Sequence, residues 1–487
     1  MKINKYYILF SFVICALLIL SGCAEPTPEP TEKPAEPAAP EMTEEVAEEP
    51  AEEVPEEEAA PEEPAEEEAP AEEPAVEEPA EEEAEAVTIQ VFYPVAVDAP
   101  IADILKGYIA DFQTENPNIT IEPVFSGGYA DVQTTIQTTI EGGGDPPALA
   151  VMLATALYDE INADYIVPLD GYIASMEGGD AYLDDFYPAF LANSTYDDQI
   201  WSIPFQRSAV VMYYNADMFA EAGLEPPTSW QTWAEAAQAL TVEEGDTVNW
   251  GLHFSSDWPY WLFQPLAIGN GQNIFQDDCT VVFDDPAVIE AVQFYIDLSE
   301  TYGAMPPGVQ ATWPTDPPDL ASGATAMIAH SSGSLSGLIE QADFELGVMA
   351  YPGKEEGSYA SVPGGGNFYI LKGAPQEQQD AAWKFVEFVT QPEYAADFSI
   401  NTGYIASRKS AMETEAMAAY LQEVPQAQAA LDALQYAGAE LSIQNLGEVR
   451  NIFHNYIQQA FNGEMSAVEA MAAAQQEADA ALEPFCQ

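Results

Sequence analysis

From residue 87 onward the chain switches repeatedly between two hydrophobic periods. "VTIQVFYP" (Val87–Pro94) alternates apolar and polar positions as a strand does. "APIADILKGYIADFQTENP" then spaces its apolar residues for one helix face and stops at Asn116–Pro117, since the residue before a proline disfavours helix. "ITIEPVFS" predicts a second strand, "YADVQTTIQTTIEGGG" a helix ended by glycines, and "PALAVMLA" a strand buried on both faces. Strands alternating with helices of this length predict an α/β fold with parallel sheets covered on both faces. In such sheets ligands sit beyond the carboxyl ends of strands, so the strand-to-loop junctions carry the interest.

The middle of the chain continues the pattern. In "WSIPFQRSAVVMYYNADMFAEAGLEPPTSWQTWAEAAQAL" a long apolar strand passes into a short helix closed by Gly223, and a second helix restarts with Thr228 or Ser229 as its cap. "DWPYWLFQPLAIGNG", the helix "PAVIEAVQFYIDLSETYG" and the Pro-rich loop "MPPGVQATWPTDPPDL" follow. In "MIAHSSGSLSGLIEQ" (Met327–Gln341) three serines and a glycine stand where a buried strand hands over to a helix. Such residues make an ordinary N-cap, and their hydroxyls and free N–H groups also suit an oxygen-rich ligand. "FELGVMAYPG", "SVPGGGNFYILKG", the helix "QEQQDAAWKFVEFVTQPEYAADFSINTGY" and an Ala-rich helical end complete the chain.

The first 86 residues share none of this. Lys2 and Lys5 precede the apolar run "YYILFSFVICALLIL", and "LSGC" follows at Leu20–Cys23, the layout of a secretory signal. The form "LSGC" closes the signal segment 1–23 and resembles the lipobox of bacterial lipoproteins, which implies cleavage just before Cys23, leaving Cys23 as the new N-terminus with lipid on it. Residues 24–86 are almost wholly Glu, Pro and Ala, with 27 Glu against the single Lys33. Lacking aromatics and any apolar face, this stretch predicts a disordered acidic tether with a mean reach of roughly 45 Å.

Residues 87–487 are long enough for two lobes and hold 56 acids against eight Lys or Arg, a net charge of −48. That charge speaks against nucleic acid and against docking on an anionic membrane surface. Beyond the leader only Cys279 and Cys486 remain, and outside the cytoplasm a disulfide between them is chemically allowed. The residues offer no P-loop, no Gly-x-Ser-x-Gly elbow, no His-Glu-x-x-His and no cysteine cluster, so no enzyme, cofactor or metal is expected.

Four stretches, "PFQRSAVVMYYNADMFAEAGLEPPTSWQTWAEAAQAL", "GATAMIAHSSGSL", "PGGGNFYILKGA…AAWKFVEFVTQPEYAADF" and "NTGYIASR", resemble the extracytoplasmic solute-binding proteins of ABC importers, in the group that takes up sugars, polyols and their phosphates. "SSGSL", "GGG" before a strand, "TGY" and "GEVR" most resemble the glycerol-3-phosphate-binding branch. The resemblance implies a periplasmic-binding-protein fold of two doubly wound lobes joined by a hinge. The expected segments are 87–205 with 325–362 for the first lobe and 206–324 with 363–487 for the second, crossing near Phe205, Ser331 and Gly366. It also implies a small-molecule solute, here glycerol 3-phosphate or a related polyol phosphate, delivered to ABC permease subunits at the outer face of the cell membrane. The alternatives are a carrier of neutral sugars or oligosaccharides on the same fold, and a stalked glycan-degrading or adhesive surface protein.

Carried over by position, Tyr129 matches an aromatic lying against the ligand, and Ser208 and Ser331 match hydroxyls that bind ligand oxygens. Gly365 matches a glycine whose N–H faces the ligand, Tyr404 and Arg450 match the holders of the phosphate end, and Trp258 and Trp261 match a tryptophan pair that walls the site. Two departures stand out. The branch's hydroxyl-binding glutamate is absent near Ala154, and Arg207 stands where the pattern has a small polar residue. Arg207 lies between the apolar runs "SIPF" and "AVVMYY", so it is taken as a candidate ligand contact beside Arg450. The histidines His330 and His454 are read as structural.

Overall fold

The computed structural model describes residues 85–245 and 247–486; the expected leader, Cys23 and nearly all of the tether lie outside them. Eight strands form one mixed sheet. β1 (Val87–Tyr93), helix α1 (Ile101–Glu115), β2 (Ile119–Phe125), helix α2 (Tyr129–Glu141) and β3 (Leu149–Leu153) follow the predicted order. β1 pairs in parallel with both β2 and β3, as the covered-sheet pattern requires. The 13-residue β4 (Ile203–Asn215) is buried along nearly its whole length.

Next come helix α3 (Trp230–Leu240), the two-residue β5 (His253–Phe254), helices α4 (Pro259–Gly269), α5 (Pro286–Glu300) and α6 (Asp316–Ser322), strand β6 (Met327–Ser331) and helix α7 (Leu335–Gln341). Ser229 caps α3 by accepting from Thr232 N, as "PTSWQTW" suggests. β7 (Leu346–Met349), β8 (Pro363–Ile370), helices α8 (Gln376–Val389) and α9 (Pro392–Thr402), and the long pair α10 (Leu446–Phe461) and α11 (Ala467–Leu482) complete the description.

The strand order is β2-β1-β3-β8-β4-β6-β5, with β7 also on β4. Here the parallel expectation stops: β8 runs antiparallel to β3 and β4, and β6 antiparallel to β4. Chain reversals at the crossing between lobes produce this. β4 spans both lobes, its first residues pairing with β8 and its last with β6 and β7.

Among the described residues, the two largest of five core clusters follow the lobes. One joins Ile89 through Phe205 with Phe368, α8, Phe398 and Tyr404; the other joins Val210 through Val362 with Leu441 through Leu482. The fold class is therefore α/β with two lobes, but the expected segments are corrected. Residues 327–331 pack with the second lobe through β4 and β5, while β8 and α8 close the first lobe's sheet and core. The crossings lie at β4, at the start of β8 and at Tyr404–Ile405, where Ile405 N donates to Arg207 O at 2.8 Å; Ser331 is not a crossing. Cys279 and Cys486 are bonded, with Cα atoms 5.7 Å apart and a sequence separation of 207.

Candidate functional site

Between the lobes lies a cavity of about 700 Å³. The first lobe contributes residues 95–98, the start of α2 and Leu153; the second contributes Asp257, Trp258, Tyr260 and Trp261, Trp313 with three prolines after it, His330, Ser331, Ser334, α7 and Glu440. Ser208, Gly365 and Tyr404 come from the three crossings. The lobes meet across its mouth: Trp313 Nε1–H donates to Ala96 O at 3.1 Å, and the Gln341 amide donates to Asp98 Oδ2 at 3.0 Å.

Seven of the expected residues meet here, namely Tyr129, Ser208, Trp258, Trp261, Ser331, Gly365 and Tyr404. Tyr129 opens α2 and donates from its hydroxyl to Gln206 Oε1 at 2.9 Å. "PGGG" is shaped by its neighbours. Gly365 has φ +95°, and a Cβ there would come within 1.8 Å of Gln206 O. A Cβ on Gly364 or Gly366 would collide with the Trp261 ring or with Tyr129. So the glycines let two aromatic walls close directly onto the backbone of β8.

Trp261 belongs both to the second-lobe core and to the cavity wall. It is 6% exposed, and its Nε1–H donates to Pro363 O at 2.8 Å. Trp258, half-buried, packs against both cores. Trp313, which no motif singled out, completes the wall: it lies 6.0 Å from Trp261 and stacks 3.5 Å from His330.

The serine stretch caps and lines at once. Ser331 Oγ accepts from Gly333 N at 3.1 Å, Ser332 Oγ accepts from Ala209 N at 3.1 Å, and Tyr213 OH donates to the carbonyls of Ser331 and Ser332. Ser334 Oγ pairs with His330 Nδ1 at 2.8 Å. Burial pulls the His330 imidazole down to about 3, so it is neutral, as is His454, which accepts from Tyr260 N at 3.2 Å.

Neither candidate arginine reaches the lining. Arg207 is fully buried behind it, over the Phe190 ring at 5.0 Å, with contacts of 3.4 Å to Gly365 O, Asn367 Oδ1 and Asn193 Oδ1. Its direct-contact reading is corrected: the β4–β8 register turns the side chain into the hinge and leaves the next residue, Ser208, on the cavity. Arg450, one turn before His454 on α10, stands behind Tyr260 and beside Asp159, whose carboxyl burial raises and Arg450 opposes.

What Arg207 meets is Glu440, at 3.8 Å. Glu440 is 3% exposed and lines the cavity, and among the described residues its Oε2, the oxygen nearest Arg207, has no hydrogen-bond partner. Burial pushes this carboxyl up to about 8, with Arg207 pulling the other way. Thus an acid faces the cavity although the position near Ala154 has none, and Arg207 is its companion. The only sequence signal was an acid inside the apolar run "AGAELSI". Asp98, Asp131 and Asp257 stand exposed around the rim.

Residues 107–426 match the family described as bacterial extracellular solute-binding protein. The sn-glycerol-3-phosphate-binding periplasmic protein UgpB of Escherichia coli (strain K12) is 24% identical over 395 residues, covering 77% of this chain and 88% of that protein. Among solved structures, UgpB from Mycobacterium tuberculosis in complex with glycerophosphocholine matches with TM-score 0.73 and 23% identity, over 81% of this chain and 99% of that one. Maltose-bound MalE3 of T. maritima matches with TM-score 0.70 and 20% identity, over 81% and 99%.

Proposed function

Since the chain belongs to the bacterial extracellular solute-binding proteins, we propose that it captures an uncharged polyhydroxylated solute, a sugar or short oligosaccharide, and presents it to an ABC permease. The composition of the cavity wall carries this reading. Three tryptophans, Trp258, Trp261 and Trp313, stand with four carboxyl groups, Asp98, Asp131, Asp257 and Glu440, and among the described residues no Lys or Arg lines the space. Aromatic faces stack on the C–H faces of sugars, carboxylates accept hydroxyl hydrogen bonds, and closure excludes water from both. A phosphate placed beside the rim carboxylates Asp98, Asp131 and Asp257 would meet like charge, a juxtaposition that can cost several kcal/mol.

The polyol phosphate expected from the resemblance remains the second reading. It is favoured by the UgpB relatives and by the backbone N–H groups beside Ser331 and Gly365. We assign no chemistry to the site. Lipid on Cys23, exposed once the leader before it is removed, would anchor the protein outside the cytoplasm, and residues 24–86 would hold the lobes off the membrane.

A calorimetric panel of neutral mono- and oligosaccharides against glycerol 3-phosphate and glycerophosphocholine tests the choice, with Trp261→Ala as companion. We expect a neutral sugar to saturate the protein and quench tryptophan fluorescence, and Trp261→Ala to weaken it at least tenfold. Saturation by a phosphate ester with no response to any neutral sugar overturns the choice.

A further inference from the structure

A second constellation lies on the edge strand β5, beside the Trp313–Pro318 wall. His253 Nδ1 is 3.6 Å from Asp316 Oδ1 and 3.5 Å from Asp319 Oδ2, and the three ligand atoms all lie within 4.8 Å of one another. Asp316 is 0% exposed and His253 7% exposed, yet both carboxyl oxygens of Asp316 and both ring nitrogens of His253 lack a hydrogen-bond partner among the described residues. His253 Nδ1 and the Asp316 carboxyl, buried side by side without hydrogen-bond partners, are costly unless something sits between them.

The spacing says what fits. Direct hydrogen bonds would hold these atoms at about 2.7–3.2 Å. Ligands of a tetrahedral ion with bonds of about 2.0–2.2 Å are separated by roughly 3.3–3.6 Å, which matches the two separations from His253. One imidazole and two carboxylates suit zinc or a similar transition ion, whereas calcium prefers six to eight oxygens. We propose that His253, Asp316 and Asp319 bind one divalent transition-metal ion, with Zn²⁺ the best match. The ion would fasten α6 to the sheet. Because α6 follows directly on Trp313, whose indole bridges to Ala96, the metal would fix one wall of the solute cavity. No sequence motif announced this site, since Asp316 lies 63 residues after His253 and the three meet only through β5 and α6.

The test is calorimetric titration of the full chain, stripped with EDTA and desalted, with ZnCl₂ in excess Mg²⁺ to occupy the many surface acids. Asp319→Asn and His253→Gln are the variants. Asp319 is half-buried, so its conservative replacement keeps the fold intact, which circular dichroism checks. We expect one equivalent of Zn²⁺ in the wild type, with affinity at least tenfold lower in each variant. Co²⁺ should give the intense visible bands of a tetrahedral site in the wild type and lose them in Asp319→Asn. The absence of a stoichiometric equivalent, or an equivalent kept by the folded Asp319→Asn protein, overturns the proposal and leaves an unmetallated His–carboxylate cluster.

Discussion

Glu440→Gln separates two states of the buried pair behind the cavity. Burial raises the Glu440 carboxyl from its ordinary 4.5 to about 8. A folded-state value above the unfolded one means that the folded protein holds the proton more tightly. The contribution to stability is then complete below about 4.5 and is lost as pH climbs through about 8. Over 3.5 pH units at about 1.4 kcal/mol each, the loss reaches at most about 5 kcal/mol. Glutamine is the shape of the protonated acid and cannot ionise. The variant should therefore match the wild type within about 1 kcal/mol at pH 6 and exceed it by several at pH 9. Urea unfolding of both proteins at pH 6, 7, 8 and 9 reads this as a difference, which cancels the titration of the remaining acids. If Glu440 were instead ionised against Arg207 at neutral pH, removing its charge would strand a buried guanidinium and cost about 3–5 kcal/mol already at pH 7. That outcome refutes the reasoning.

Two further predictions concern the backbone. Gly365→Ala should destabilise by more than about 2 kcal/mol in urea, because its φ of +95° and the 1.8 Å approach to Gln206 O both exclude a Cβ, whereas exposed Gly107→Ala in α1, with nothing within 4 Å, should stabilise by about 0.5–1 kcal/mol. Replacing Cys279 and Cys486 together by Ser should lower stability by about 2–5 kcal/mol in calorimetric unfolding, given the 207-residue separation that the bond closes; an unchanged midpoint would contradict the link.

Local chemistry was easy to read in this chain. The α1 stop at Asn116–Pro117, the Gly223 cap and the Ser229 cap depend on residues within one turn, and each stands where the pattern puts it. Lobe membership was not readable, because strand pairing is non-local. Nothing within "SVPGGGNFYI" says that it runs antiparallel beside "PALAVMLA", more than 200 residues earlier. The aromatic wall was half visible: "DWPYW" drew notice, while Trp313 in a Pro-rich loop looked like a connector. Arg207 and Glu440 show the limit most plainly. An arginine between apolar runs is conspicuous and an acid among 83 is not, yet it is the acid that reaches the cavity.

The distribution of cations bears on the solute more strongly than their number. Lys106 pairs with Asp103, Lys354 with Glu290, Lys372 with Asp164, Arg408 with Asp185 and Arg207 with Glu440, all within 4.0 Å. Lys409 donates to Asp184 O at 2.6 Å. Lys106, Lys354, Lys372 and Arg408 are thus held in local pairs away from the cavity, and Arg207 lies behind the lining, so none of the five stands among the rim acids Asp98, Asp131 and Asp257. Exposed acids farther off than about 8 Å are largely screened at physiological ionic strength, but a rim acid within a few ångströms of a bound anion is not. An anionic solute would therefore be opposed both during approach and when enclosed, whereas a neutral sugar feels neither effect. The same field that repels phosphate leaves hydroxyl recognition untouched, so the acidity of the whole domain and the chemistry of its cavity both support the neutral solute proposed above.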